Sequence, residues 1–196
     1  PDIDFNIRAG NSLVGYATYD EVKRAVMGGQ QAAMDFDNAM AKIEDKAALL
    51  ESAFEMFRRQ QTELGGEVTS ADKLELQKRL KALEDELNRH LAGQYGVKVS
   101  DKAAYAKWVK SHQPFHWFIQ FYGILSGGGF DVIIGNPPYV DYSKVRSDYT
   151  VRGYETKSCG NLYAFVVERS LHLCRSKRSG MIIPSAAFGV SATAQL

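Results

Sequence analysis

Four consecutive residues, Asn136, Pro137, Pro138 and Tyr139, carry the clearest chemical signal in this sequence of 196 residues. They follow the short apolar run 130–134, which is typical of a buried strand. Proline holds φ at about −65° and cannot continue a central strand, and Pro137 also restricts Asn136 to an extended conformation. The sequence therefore predicts a stiff turn that offers a side-chain amide oxygen, main-chain carbonyls and an aromatic face.

Such a turn suits the exocyclic amino group of a flat ring. The amine has two hydrogens to donate, and the Asn136 side-chain oxygen and the Pro137 carbonyl can accept one each. Tyr139 can stack on the ring itself. The plain alternative is a proline-rich turn after a core strand, with no chemistry attached.

Composition sets the broad class. The hydrophobic content of 45% and the charged content of 24% are those of an ordinary globular chain that can bury a sizeable core. No apolar stretch approaches the roughly 18 residues of a membrane helix, and no secretory signal opens the sequence. Cys159 and Cys174 are too few for a disulfide framework, and no Cys/His spacing predicts a metal site. We expect a reducing, cytoplasmic setting and no membrane partner.

The net charge of +1 gives no whole-chain signature for nucleic acid. The region 144–178, however, holds eight Lys/Arg against three acidic residues directly after the tetrapeptide. This local excess fits a surface that contacts phosphates. It fits a solvated face equally well.

The region 30–97 is predicted to be a helical hairpin. Two heptad-like seams, Phe36, Met40, Ile43, Ala47, Leu50, Phe54, Phe57 and then Leu76, Leu80, Leu83, Leu87, Leu91, flank a Gly65-Gly66 turn. Matched lengths and a short connection indicate an antiparallel pair. An arm that contacts DNA or another domain is one interpretation, and a structural insertion that packs on itself is favoured.

The remaining elements predict an α/β core. A short strand at 3–7 precedes a turn at 10–13, a helix is expected at about 101–111, and the aromatic run 112–122 is read as core rather than as a base-stacking surface. Strand 130–134, a helix capped by Asn161, and strand 181–183 form a βαβ unit, for which a parallel sheet is the economical arrangement. The predicted organisation is 1–29 as the start of the core, 30–97 as an insertion and 98–196 as the core with the tetrapeptide.

Five blocks keep the same order along the chain as in a known family: 5–13, 116–117, 129–140, 161–170 and 180–185. They resemble the methyltransferase region of adenine-specific DNA methyltransferases with an Asn-Pro-Pro-Tyr motif. The resemblance is to single-chain type II restriction-modification enzymes and related phage-defence methylases in particular. It touches most of the chain except the hairpin.

The resemblance implies a fold, a cofactor and site residues. The fold would be a partial Rossmann-like sheet of the methyltransferases that use S-adenosylmethionine, interrupted by the hairpin. Asn136, Pro137, Pro138 and Tyr139 match the catalytic motif, and Asn11 and Asn136 would bind the cofactor. Asn11 stands where many relatives have an Asp, so its acceptor is uncharged. Glu168 and Arg169 match the helix block and are read as an ion pair on the helix surface.

The partners implied are double-stranded DNA with a flipped adenine and the remainder of a parent chain. The glycine-rich cofactor loop would precede Gly10, and a target recognition domain would follow residue 196. We therefore expect an internal fragment that is inactive alone. The same tetrapeptide serves methylases of protein glutamine and of RNA bases, and an inactive DNA-binding or scaffold module is a further alternative.

Overall fold

This computed structural model describes residues 6–27, 33–62, 70–176 and 178–185. Eight α-helices, two strands and a 3-10 helix (Glu155–Cys159) lie in these ranges: α1 Tyr19–Met27, α2 Ala33–Thr62, α3 Ser70–Gln94, α4 Lys102–His112, α5 Trp117–Gln120, α6 Tyr122–Ser126, β1 Ile133–Gly135, α7 Tyr142–Val145, α8 Leu162–Leu173 and β2 Ser179–Met181. The chain divides into two compact units, Pro1–Gly127 and Gly128–Leu196. No helix in the described ranges is long and apolar enough to cross a membrane.

The two long helices of the first unit pack along their apolar seams. The seam residues with described side chains are buried: Ile43, Ala47, Leu50, Phe54, Phe57, Leu76, Leu80, Leu83, Leu87 and Leu91. The Lys46 ammonium contacts the Glu86 carboxylate at 2.6 Å. Both residues lie equally far from the connected helix ends at Thr62 and Ser70, so the helices run antiparallel. The glycine turn, and the side chains of Phe36 and Met40, fall outside the description.

The segment before α1 and the segment before α5 lie side by side. Phe115 donates its backbone N–H to the Val14 carbonyl at 2.7 Å, and the Trp117 indole N–H donates to the Ser12 carbonyl at 3.0 Å. Gly15 has φ +131°, and a Cβ there would overlap the Phe115 carbonyl, so glycine permits this close approach. Of the predicted strand at 3–7, residues 3–5 are not described, and Asn6 and Ile7 lie outside any strand.

Aromatic residues of α5 and the segment before it form core, as predicted. Phe115 and Phe118 are buried. His116, only 1% exposed, anchors this layer. Its Nδ1 accepts the backbone N–H of Tyr16 at 3.2 Å, and its Nε2 lies 3.0 Å from the Asn88 side-chain oxygen. Since Nδ1 is an acceptor here, the ring proton resides on Nε2 and is donated to Asn88.

Because His116 is buried and neutral, we expect the free energy of unfolding to fall in acid. Burial lowers the pKa of His116 from its ordinary 6.5 to about 3. The unfolded chain therefore binds a proton that the folded chain excludes, and stability present above pH 6.5 is lost as the pH falls toward 3. We expect a loss of about 2 kcal/mol in unfolding free energy from this group at pH 5.

Urea unfolding at pH 7.5 and pH 5 measures this loss, with His116→Gln as the matched variant. A glutamine side chain does not titrate, so the stability of this variant should fall less between the two pH values. Burial also lowers the pKa of His90 and His112, so both proteins retain a shared acid-sensitive background. Equal losses in the two proteins would contradict the role of His116.

The second unit is built on a parallel strand pair. β1 and β2 pair in the register Ile133↔Ser179, Ile134↔Gly180 and Gly135↔Met181, with α8 as the crossover helix. The parallel βαβ arrangement is confirmed. The result is a helix-rich α/β structure with a two-stranded sheet in its described part, which is compatible with a methyltransferase-like fold.

The boundaries of this unit differ from those predicted. Strand 130–134 is replaced by an isolated bridge of Phe130 to Cys174 and by β1, because the Asp131 carbonyl accepts the Ser176 hydroxyl instead of continuing the ladder. The helix ends at Leu173, since Cys174 already has extended dihedrals (φ −95°, ψ 118°). β2 accordingly begins at Ser179, before the predicted 181–183. The N-cap is confirmed: the Asn161 oxygen accepts the Tyr163 N–H at 3.4 Å.

Candidate active site

The tetrapeptide leaves the carboxyl edge of the parallel strand pair. Asn136 directly follows β1, and Ile182 directly follows β2. The Ile182 N–H donates to the Gly135 carbonyl at 3.1 Å, which holds the two strand exits together. Ligands of α/β sheets bind at this edge, outside the carboxyl ends of the strands.

Two contacts orient the Tyr139 side chain. Its hydroxyl donates to the Ile182 carbonyl at 2.6 Å. Its ring meets the Tyr163 ring edge to face, with centroids 6.5 Å apart at 83°. Tyr139 nevertheless remains 49% exposed. A planar group can therefore reach an aromatic ring whose orientation is already set.

The two candidate acceptors of the tetrapeptide differ in exposure. Asn136 is exposed, whereas Pro137 is buried and anchors the turn. The Asn136 Oδ1 lies a long 3.4 Å from the Tyr139 hydroxyl, which already donates to Ile182. Within the described residues the Pro137 carbonyl has no hydrogen-bond partner. The Asn136 side-chain oxygen and the Pro137 carbonyl oxygen can therefore each accept a further hydrogen bond. Both belong to residues that lie within three positions of Tyr139 in the sequence.

The chain beyond Tyr139 is joined to the start of α8. The Leu162 N–H donates to the Val140 carbonyl at 2.9 Å, and Asp141 and Asn161 form an antiparallel bridge. The Asn161 amide also donates to the Asp141 carboxylate at 3.3 Å. Asn161 therefore both caps α8 and anchors the chain that follows Tyr139.

Asn11 lies in the first unit and Asn136 in the second. The half-buried Asn11 side-chain oxygen accepts the Leu13 N–H at 3.1 Å, and its backbone N–H donates to the Gln113 carbonyl at 2.8 Å. Asn11 therefore stabilises its own turn. A carbonyl oxygen has two lone pairs, so one acceptor position remains for a ligand.

The prediction of a surface ion pair at Glu168 and Arg169 is wrong, because both residues are buried. The Glu168 carboxylate accepts hydrogen bonds from the backbone of Glu155 and from both the backbone and hydroxyl of Thr156. Burial alone raises the pKa of Glu168, but these hydrogen bonds outweigh burial and lower it overall. The spacing of residues on α8 could have predicted that Glu168 is buried. Glu168 lies three residues after Phe165, and residues three apart share one face of a helix.

Comparison with known proteins gives a family. Residues 30–196 match the family described as Eco57I restriction-modification methylase. A segment of 73 residues is 38% identical to a Methanocaldococcus jannaschii protein named as a candidate type II restriction enzyme and methyltransferase. The segment covers 37% of this chain and 6% of that protein, so the chain spans a small part of its relative's length. No solved structure matches the chain. Since the family match extends over most of the sequence, the chain belongs to the Eco57I restriction-modification methylase family.

Proposed function

We propose that the chain is the catalytic part of a longer DNA methyltransferase, which transfers a methyl group from S-adenosylmethionine to N6 of adenine. The observation that carries this proposal is the loop after β1. It combines an exposed Asn136, an unpartnered Pro137 carbonyl within the described residues and the exposed ring of Tyr139. Membership of a restriction-modification methylase family supports DNA as the substrate.

The two carbonyl oxygens recognise the amino group. Asn136 and the Pro137 carbonyl each accept one N–H of the adenine amine, which reduces delocalisation of the nitrogen lone pair into the ring. The lone pair would then face the methyl group that S-adenosylmethionine would supply, and the amine would lose one proton as it gains the methyl group. Positioning and fixed dipoles supply most of the rate in such a site.

Tyr139 holds the target base. An adenine inside a duplex is inaccessible, so the base must be flipped out at a cost of a few kcal/mol. Stacking on an aromatic side chain recovers about 1–3 kcal/mol of this cost. The hydrogen bond from Tyr139 to Ile182 fixes the ring before the base arrives, so little ordering entropy is lost on binding.

The residues present fit S-adenosylmethionine. When bound, the cofactor supplies a methyl group activated by a sulfonium sulfur. Asn11 retains one acceptor position on a half-buried oxygen, which suits the neutral amino group of the cofactor adenine. Asn136 is an exposed amide at the carboxyl edge of the strands. We propose these two residues as cofactor ligands.

The proposal extends to the architecture. We propose that 1–29 and 98–196 form part of a Rossmann-like methyltransferase core and that 30–97 is an insertion in it. The parallel pairing of β1 and β2 through α8 supports this core. The remainder of the enzyme would supply the glycine-rich cofactor loop and the target recognition domain.

Methyl transfer by the full-length protein tests the function directly. The protein is incubated with labelled S-adenosylmethionine and unmethylated duplex DNA, and the DNA is digested to nucleosides. The expected product is labelled N6-methyladenosine in its deoxy form. Label on cytosine would overturn the adenine assignment, and label on RNA or on protein glutamine instead would overturn DNA. Failure to bind the cofactor would favour a scaffold.

A further inference from the structure

One face of α8 packs against the segment of chain that follows the tetrapeptide. Phe165, Glu168 and Arg169 occupy positions i, i+3 and i+4, which lie on the same side of a helix. All three are buried. They contact residues 141–160, which we call the post-catalytic lobe.

Glu168 makes the strongest of these attachments. Its Oε1 accepts the Glu155 N–H at 2.9 Å, and its Oε2 accepts the Thr156 N–H at 2.9 Å and the Thr156 hydroxyl at 2.6 Å. These donors belong to the first turn of the 3-10 helix Glu155–Cys159. A buried carboxylate with both oxygens engaged fixes that turn far more firmly than solvent-exposed contacts can.

Aromatic contacts attach the rest of the lobe. The Phe165 ring packs against Tyr142 and Tyr154, at centroid distances of 5.4 and 5.2 Å. The Tyr154 hydroxyl accepts the Arg169 Nε–H at 2.9 Å. The Tyr142 hydroxyl in turn accepts the N–H of the buried Val151 at 3.0 Å. The lobe is therefore closed on itself and seated on α8.

The lobe begins and ends beside the candidate active site. Its root is the bridge of Asp141 to Asn161, and the Tyr142 N–H donates to the Gly160 carbonyl at 2.8 Å. Tyr139 stands two residues before this bridge. Helix α8 thus contacts both the lobe and, through Tyr163, the Tyr139 ring.

The exposed charged residues of the lobe are the cations Lys144, Arg146, Arg152 and Lys157 and the acids Asp141, Asp148 and Glu155. Lys144 lies 3.8 Å from the Asp141 carboxylate. Arg146 and Lys157 have no ion-pair partner among the residues that the structure describes. Exposed cations on an ordered element next to a base-binding loop suit contacts with the phosphates that flank a flipped nucleotide.

We propose that Glu168 is a positioning residue, which holds the post-catalytic lobe in the conformation in which Arg146 and Lys157 contact phosphates of the substrate DNA. This inference rests on the proposed DNA methyltransferase function. It adds contacts with DNA phosphates to the proposed binding of the flipped base. Glu168 itself does not touch the DNA or the reacting atoms. Its carboxylate is needed because the groups that contact it are donors, and an amide would turn an NH2 group toward an N–H.

Binding of duplex DNA by the full-length protein tests the role of Glu168. The probe is a fluorescent, unmethylated duplex that carries the site at which the protein transfers methyl groups. In Glu168→Gln the Kd for DNA should rise about tenfold, while the Kd for S-adenosylmethionine stays unchanged. Thr156→Val removes one hydrogen bond and should raise the Kd for DNA about threefold. Thr156→Ser keeps the hydroxyl and should bind like the unmodified protein. Amide hydrogen exchange should show loss of protection at residues 155 and 156 in Glu168→Gln.

The salt dependence tests the cations. The double variant Arg146→Gln, Lys157→Gln should reduce the slope of log Kd against log salt concentration by about 2, since each lost phosphate contact removes about 0.9. The matched double variant Lys98→Gln, Lys110→Gln removes two exposed cations from the first unit and should leave the slope unchanged.

The outcomes separate this inference from the function on which it rests. If the unmodified protein neither binds nor methylates duplex DNA, the proposed function fails, and the phosphate contacts fail with it. If it methylates DNA and Glu168→Gln binds DNA equally well, the inference alone is overturned. Equal slopes in both double variants would overturn the assignment of the phosphate contacts to the lobe.

Discussion

Replacing Asn136 with Ala is expected to reduce the rate constant of methyl transfer by about 100- to 1,000-fold, the effect of deleting one preorganised polar group from a reacting centre. In the proposed reaction the Asn136 oxygen is one of the two acceptors that fix the target amine. Without it the amine can rotate, and its lone pair is again delocalised into the ring. Asn136 is exposed, so the variant should unfold at the same temperature as the unmodified protein.

The measurement is single-turnover transfer of labelled methyl to duplex DNA by the full-length protein at saturating cofactor. Saturation removes any contribution of Asn136 to cofactor affinity from the rate. Asn136→Asp is the matched variant, because it keeps an acceptor oxygen at the same position and should retain more activity than the Ala variant. Transfer by Asn136→Ala within threefold of the unmodified rate would refute the catalytic role of this residue.

Replacing Tyr139 with Ala is expected to weaken binding of the flipped base by roughly 5- to 150-fold, since one aromatic–base stack contributes about 1–3 kcal/mol. Tyr139→Phe separates the two functions of the side chain. Phenylalanine keeps the ring but cannot donate to the Ile182 carbonyl. It should therefore preserve stacking and lose only the prior orientation of the ring, a change of a few-fold.

A duplex with 2-aminopurine at the target position measures this effect, because the fluorescence of 2-aminopurine rises when the base leaves the stack. We expect a strong signal with the unmodified protein and with Tyr139→Phe, and a much weaker signal with Tyr139→Ala at equal DNA occupancy. Equal fluorescence in all three proteins would show that another group holds the base. No signal in any of them, with DNA bound, would contradict base flipping at this site.

Features that depend on neighbours in sequence were predictable from the sequence itself. Heptad spacing identified the seams of α2 and α3, because a helix places residues three and four apart on one face. The Asn161 cap was predictable since an Asn side chain reaches its own helix start. Parallel pairing of β1 with β2 was predictable because a helix lies between the two strands in the sequence. Such a helix is the usual crossover connection between parallel strands.

Strand and helix ends were predicted less well. The sequence does not show that the carbonyl of Asp131 accepts the Ser176 hydroxyl, 45 residues away, or that Phe130 pairs with Cys174. These contacts shorten β1 and end α8 before its apolar pattern does. Local propensity sets where an element can form, and long-range hydrogen bonds select its final boundaries.

The sequence by itself determined the chemistry of the tetrapeptide: an amide oxygen, a proline carbonyl and an aromatic ring in a stiff turn. Only the tertiary structure decided how that chemistry is held. It tethers Tyr139 to Ile182 and turns Glu168 inward onto the post-catalytic lobe. In the first unit it buries His116 between Tyr16 and Asn88. Most of these partners are far apart in the chain, and a buried polar group is recognisable only once its hydrogen-bond partners have been brought to it.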